Sequence, residues 1–211
     1  RLHGLMKRLE AIANKIIPCK VFADIGCDHG IIGLYVVKNN LAERVCECDI
    51  SEDSLSKART LIGDDAEYFS GDGFVPLTRA GIETDQAVIA GMGGELIIKI
   101  LENCPNKPRL ILGAQKNTDK LRVYLIENGY RIEEDHVVFD SGKFYDIIVA
   151  EKGEGEMPDE ISAFAGVYYK QKNDDLKKWC DCTEKRISQY KRTEKNQKIL
   201  DMIHEVKKWQ R

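Results

Sequence analysis

Between Val21 and Val37 the chain reads "VFADIGCDHGIIGLYVV", two aspartates, a histidine and three glycines set between an apolar run and a helix-like one. Gly26 lets the backbone bend without a Cβ in the way, and Gly30 permits a close approach where the next helix starts. In a dinucleotide-binding fold this turn is G-x-G-x-x-G, whose bare amides receive a pyrophosphate at the helix N-terminus. Here Asp28 and His29 fill the loop. A carboxylate repels phosphate, whereas Asp24 and Asp28 suit an ammonium, held directly or through water. His29 is read as positioning the loop or the ligand, not as a proton shuttle.

Three more stretches can do chemistry. "VCECDIS" places Asp49 at the end of a second apolar run, 25 positions after Asp24, near the roughly 20-residue offset of an acid that accepts from ribose hydroxyls. Glu47 alternates in the same direction and is a weaker substitute, while Asp53 suits the first turn of the next helix. "SGDGF" offers Asp72 to an adenine exocyclic amine, although Gly-Asp-Gly also makes an ordinary turn. "VIAGMGGEL" carries Gly91, Met92, Gly93 and Gly94, a backbone that something flat can approach, with an adaptable apolar side chain beside it. An amino-acid end, a cation and an adenosine together match S-adenosyl-L-methionine.

The elements that position these residues follow from periodicity. Short β-branched runs predict strands at 21–25, 45–49, 67–70, 86–90 and 109–113, alternating with helices near 30–39, 52–62, 94–103 and 119–128. That alternation calls for a parallel sheet covered on both faces. After Gly129 the pattern becomes a hairpin around Ser141-Gly142, closing a mostly parallel seven-stranded sheet with an antiparallel pair. The first 17 residues read as an amphipathic helix, unlike a signal peptide, which places the protein in the cytoplasm. Beyond Gly155 a helix-favouring mixture predicts a second unit, residues 156–211 after a first domain of 1–155. Leu176, Trp179, Cys180, Thr183, Ile187 and Tyr190 form one apolar seam and Leu200, Ile203, Val206 and Trp209 part of another, hence an antiparallel helical hairpin.

The composition, 43% hydrophobic and 32% charged, is that of a globular chain and excludes a disordered or fibrous one. No apolar run approaches a membrane span. Seven scattered cysteines make no secreted disulfide framework, and the two Cys-x-Cys pairs lack zinc spacing, so no metal site is expected. Residues 157–211 hold 13 Lys and Arg against 9 Asp and Glu, a tail of +4 on a body of −7. Such a tail suits an anionic partner, although on charge alone a solvated helical surface is the simpler account.

The motifs "KRLEAIANKI", "ADIGCDHGIIGLYVV", "GDGF", "IAGMGGELIIKIL" and "KFYDIIVAEKG", in this order, resemble the bacterial tRNA (adenine(22)-N1)-methyltransferases, the TrmK family. The likeness implies a Rossmann-like class I methyltransferase fold, α/β, with a small α-helical C-terminal domain. It implies cofactor contacts from Asp24, Gly26, Asp28, His29 and Gly30, with Asp49 at the ribose and Asp72 at the adenine. Cys27, Ile50, Gly73 and Gly91 complete the expected cofactor shell. Gly91, Met92, Gly93 and Gly94 would hold the target base, and Asp28 joins them at the reaction itself. The implied partner is tRNA, docked on the basic hairpin and the active-site face, with oligomeric state left open. The chain departs from the family at Leu112-Gly113-Ala114, where Leu-Gln-Pro is common, which turns attention to Gln115 and Asn117; Gly33 is a milder departure. Two alternatives stand beside this reading: methylation of a protein or small molecule, indifferent to loss of residues 157–211, and a non-catalytic tRNA-binding relative.

Overall fold

The strands are β1 Cys19–Ile25, β2 Ala42–Asp49, β3 Glu67–Ser70, β4 Gln86–Met92, β5 Arg109–Ala114, β6 Tyr130–Asp140 and β7 Lys143–Lys152. In the computed structural model, which describes residues 6–191 and 193–211, they form one sheet in the order β3-β2-β1-β4-β5-β7-β6. The first five pair in parallel, and β7 runs antiparallel to both β5 and β6. Ser141 and Gly142 both take positive φ, 49° and 81°, the two-residue turn whose twist matches a hairpin.

The helices are α1 Lys7–Ala13, α2 Ile31–Lys38, α3 Glu52–Ile62, α4 Val75–Arg79, α5 Gly94–Glu102, α6 Thr118–Glu127, α7 Glu160–Ala165, α8 Asp174–Ile187 and α9 Glu194–Trp209. Side chains alternate across the sheet. Phe22, Val45, Val88 and Ile111 meet Ile12, Ala13, Ile32 and Val36 of α1 and α2, while Ala23, Ile25, Ile89 and Leu112 meet Leu77, Ile97 and Leu121 on the opposite face. α4 and α7 were not expected, being too short to show a helical period. Residues 1–5 of the expected leading helix lie outside the described residues.

α8 and α9 do form a hairpin, packed through Leu176, Cys180, Ile203 and Val206 onto Val137 and Phe144 of the β6–β7 pair. Tyr190, expected in the seam, is 64% exposed because α8 has already ended at Ile187. Trp209 is also exposed, under Lys170. Beneath α7 lies a buried ion cluster. Arg122 of α6 donates twice to Asp135, and once each to Asp146, Thr118 Oγ1 and the carbonyl of Ala163. Asp135 also accepts from the amide of Val167 at 2.8 Å, so the chain beyond residue 155 is bonded into the sheet edge. Among the described residues no helix is long and apolar enough to cross a membrane.

Candidate active site

A cavity of about 650 Å³ opens where the winding reverses between β1 and β4, at the strands' C-terminal ends, the position at which doubly wound sheets bind ligands. Asp24, Gly26, Cys27, Asp28, His29, Asp49, Ile50, Asp72, Gly73, Gly91 and Met92 all line it. Gly30, Gly93 and Gly94 stand outside the lining.

Packing explains the two of these whose surroundings are tightest. Gly30 has φ +72°, and a Cβ there would come within 2.8 Å of Ala58 Cβ, so α3 takes the space read from sequence as an approach route. A Cβ on Gly94 would sit 2.2 Å from the carbonyl oxygen of Asn117, and the Gly94 amide donates to Lys116 at 2.7 Å, which seats α5 against the loop after β5. Gly26 and Met92 interlock: with φ +75°, Gly26 leaves room for the Met92 methyl, 2.2 Å from where its Cβ would be. Gly91, φ +80°, lies at the register irregularity between Ala90 and Met92, with open space where a side chain would stand.

The first loop and the second strand are tied together. Asp28 holds φ 51°, and its amide donates to one Asp49 oxygen at 3.1 Å while Ser51 N donates to the other at 2.8 Å, fixing the Asp49 carboxylate. His29 Nδ1 lies 2.9 Å from Asp28 Oδ2, and both side chains are more than half exposed, so the pair orients the loop more than it stabilises the fold. Asp24 is only 4% exposed and faces the cavity. Burial, reinforced by the negative charges of Asp49 and Asp28, pushes its pKa up to about 7. The Cys27 thiol is raised by burial and by Asp24, which keeps it protonated and unsuited to nucleophilic work.

Glu47 departs from expectation. It shares the β2 face with Asp49 but is fully buried beneath α2, outside the lining, its carboxyl in the space that the absent side chain of Gly33 leaves open. A ribose cannot reach it there. Among the described residues its two oxygens have no partner in hydrogen-bond geometry, and burial beside Asp24 holds its pKa well above the usual range, a rise that the neighbouring Cys27 thiol only partly offsets. At Gly113 a Cβ would meet Ala90 Cβ and Ile12 Cδ1, each at 3.1 Å, so the place of the family's glutamine side chain is tightly packed. Gln115 and Asn117 line a neighbouring cleft of about 240 Å³ with Phe164 and Trp179, not the main cavity.

A family model described as a methyltransferase domain matches residues 5–148. A tRNA (adenine(22)-N(1))-methyltransferase of Bacillus subtilis (strain 168) is 32% identical over 218 residues, covering 93% of this chain and 91% of the relative. The chain belongs to the tRNA (adenine(22)-N1)-methyltransferase family. Solved structures agree in fold with this methyltransferase chain. The B. subtilis m1A22 tRNA methyltransferase TrmK superposes with TM-score 0.77 at 29% identity, covering 96% of this chain and 98% of that one. M. capricolum TrmK, in complex with S-adenosyl-homocysteine, gives TM-score 0.83 at 22% identity over 98% of both chains.

The sequence reading of this methyltransferase missed the contribution of α1. Met6, Arg8 and Leu9 close one side of the cavity. Arg8 stands four residues before the buried Ile12, on the same helical stripe, and a charge in line with an apolar stripe was the available signal.

Proposed function

We propose that this protein transfers a methyl group from S-adenosylmethionine to N1 of an adenine in tRNA, position 22 by family. The observation that carries the reading is the lining of the switch-point cavity, where Asp24, Asp28, Asp49 and Asp72 converge with glycine turns and apolar Ile50 and Met92. Those acceptors fit the cofactor: Asp24 and Asp28 accept from its ammonium, Asp49 from the ribose hydroxyls, and Asp72 from the adenine amine beside Ile50. Bound there, the cofactor supplies an electrophilic methyl that the in-plane lone pair of adenine N1 takes up without a general base. The chain's work is therefore alignment and electrostatics. Gly91 and Met92 border the cavity and offer a flat wall to an unpaired or flipped base. The carboxylates give the site a negative potential that favours cationic groups, including the positive charge that moves to the purine.

Docking of the RNA falls to the basic unit, residues 156–211. Several of its lysines are engaged within the protein: Lys207 with Asp181 and Glu184, Lys198 with Glu160, Lys178 over the Phe139 ring. The hairpin tip is different. Arg186, Tyr190, Lys191 and Lys195 surround a shallow surface there, with the Tyr190 ring exposed, a combination that suits phosphates and a base face. A tRNA substrate makes the cytoplasm the place of action.

Incubation with isotopically labelled S-adenosylmethionine and unmodified tRNA, followed by mass-spectrometric mapping, is expected to find N1-methyladenosine at position 22. Cofactor binding without transfer to tRNA would overturn the reading. Replacing Arg186, Lys191 and Lys195 by Ala should raise KM for tRNA about tenfold at low salt and leave cofactor affinity unchanged. Truncation at residue 156 is a poorer probe, since it strips Arg122 and Asp135 of their Ala163 and Val167 partners.

A further inference from the structure

Four carboxylates face the cavity, and among the described residues that line it Arg8 is the one lysine or arginine. Its guanidinium lies over the ring of Tyr145, 4.9 Å from the centroid. Stacking of this kind fixes the guanidinium plane and leaves its in-plane N–H edges free to bond. Among the described residues Arg8 Nε, which is buried, has no hydrogen-bond partner. Among the described residues Arg8 also forms no ion pair, although seven other arginine and lysine side chains of the body do, Arg44, Arg109 and the buried Arg122 among them. A desolvated cationic donor left unsatisfied inside a ligand cavity is costly unless a ligand completes it.

We infer that Arg8 binds the carboxylate of the cofactor's methionine end. This rests on the cofactor reading above and completes its charge balance. The amino-acid end carries an ammonium and a carboxylate on one carbon, so whatever holds the ammonium places the carboxylate a few ångströms away. Asp24 and Asp28 serve the first group and repel the second. Arg8, sharing the cavity with them, is the planar fork that matches a carboxylate. α1 therefore acts as the wall that recognises an amino-acid cofactor, as well as a cover for the sheet.

Calorimetric titration with S-adenosylmethionine and with its decarboxylated analogue, which keeps the ammonium and the sulfonium, separates the possibilities. Wild-type protein should prefer the intact cofactor. Arg8→Ala should weaken S-adenosylmethionine about ten- to a hundredfold and change binding of the decarboxylated analogue less than twofold. Arg8→Lys should recover part of the loss. An equal loss for both ligands would overturn the inference and make Arg8 a packing residue. An unchanged cofactor affinity with a raised KM for tRNA would also overturn it, and would assign the guanidinium to an RNA phosphate. Wild-type protein that binds neither ligand would defeat the cofactor reading itself.

Discussion

Two clusters of buried charge lie in this sheet, and they are built on opposite rules. Under the β6–β7 side, Arg122 is fully buried and each of its five N–H donors has an acceptor. Its guanidinium is held protonated by Asp135 and Asp146 against the cost of burial. Under the β1–β2 side, Asp24 and Glu47 are register partners on one face, both buried, with no cation paired to either among the described residues. The first cluster completes itself and holds the chain together. The second is left open, and the difference separates charge used for architecture from charge kept for a ligand.

The largest expected effect tests the closed cluster. Arg122→Met removes the one cation and strands the buried Asp135 together with the half-buried Asp146, so the loss should reach about 3–5 kcal/mol in urea denaturation. α7, bonded through Ala163 O, should become protease-sensitive first. A loss below about 0.5 kcal/mol, the range of ordinary surface substitutions, would remove the contrast between the two clusters.

Next comes the open cluster at its ligand-facing member. Asp24→Asn should weaken S-adenosylmethionine binding about ten- to a hundredfold, the worth of a hydrogen bond to a charged group. Because Asp24 has a pKa of about 7 in the folded protein, wild-type affinity should climb as pH rises through 7 and level off above it. Below that point the slope should approach about tenfold per pH unit. The Asn variant should show neither limb. A flat wild-type profile between pH 6 and 8 would mean that Asp24 does not carry the charge the cofactor meets.

How much of this could be read in the sequence depends on the distance over which each feature is decided. β-Branched alternation locates all five parallel strands within a few residues, and the Ser141-Gly142 turn is written in two adjacent positions. Asp24, Asp28 and Asp49 are placed by strand ends, which the same alternation reveals. Glu47 has the same alternation as Asp49, yet its fate is decided by Gly33 on a helix that crosses above it. Gly30 and Gly94 looked like ligand positions, but each is required by a neighbouring element, Ala58 of α3 or the Asn117 carbonyl. Arg122 meets Asp135 and Asp146 from 13 and 24 residues away, pairings that only the folded hairpin creates.

Within the open cluster, Glu47 is the member no ligand reaches, and its removal should raise stability. The unfolded carboxyl loses its proton near the ordinary 4.5, whereas the folded one, desolvated and beside Asp24, keeps it to a much higher pH. The native state thus binds more protons than the unfolded state above pH 4.5. Its stability falls as pH climbs toward the folded pKa. Glu47→Leu should therefore gain about 1–3 kcal/mol at pH 8 and less at pH 5, read from denaturation at both. A variant less stable than wild type at pH 8 would show that Glu47 has a partner in solution.

The smallest effect is a change of sign. A Cβ on Gly33 would stand 1.8 Å from Glu47 Oε1, and that carboxyl, fully buried, has nowhere to retreat. Gly33→Ala alone should cost about 1–3 kcal/mol through overpacking. In a Glu47→Ala background the same methyl enters vacated space on a helix interior, where alanine is better than glycine by about 1 kcal/mol. The substitution should then stabilise. A double-mutant cycle reads the coupling directly, and additivity within about 0.5 kcal/mol would show that the two positions do not share that space. Opposite signs in the two backgrounds would establish that Gly33 is glycine because a buried acid stands behind the cofactor loop.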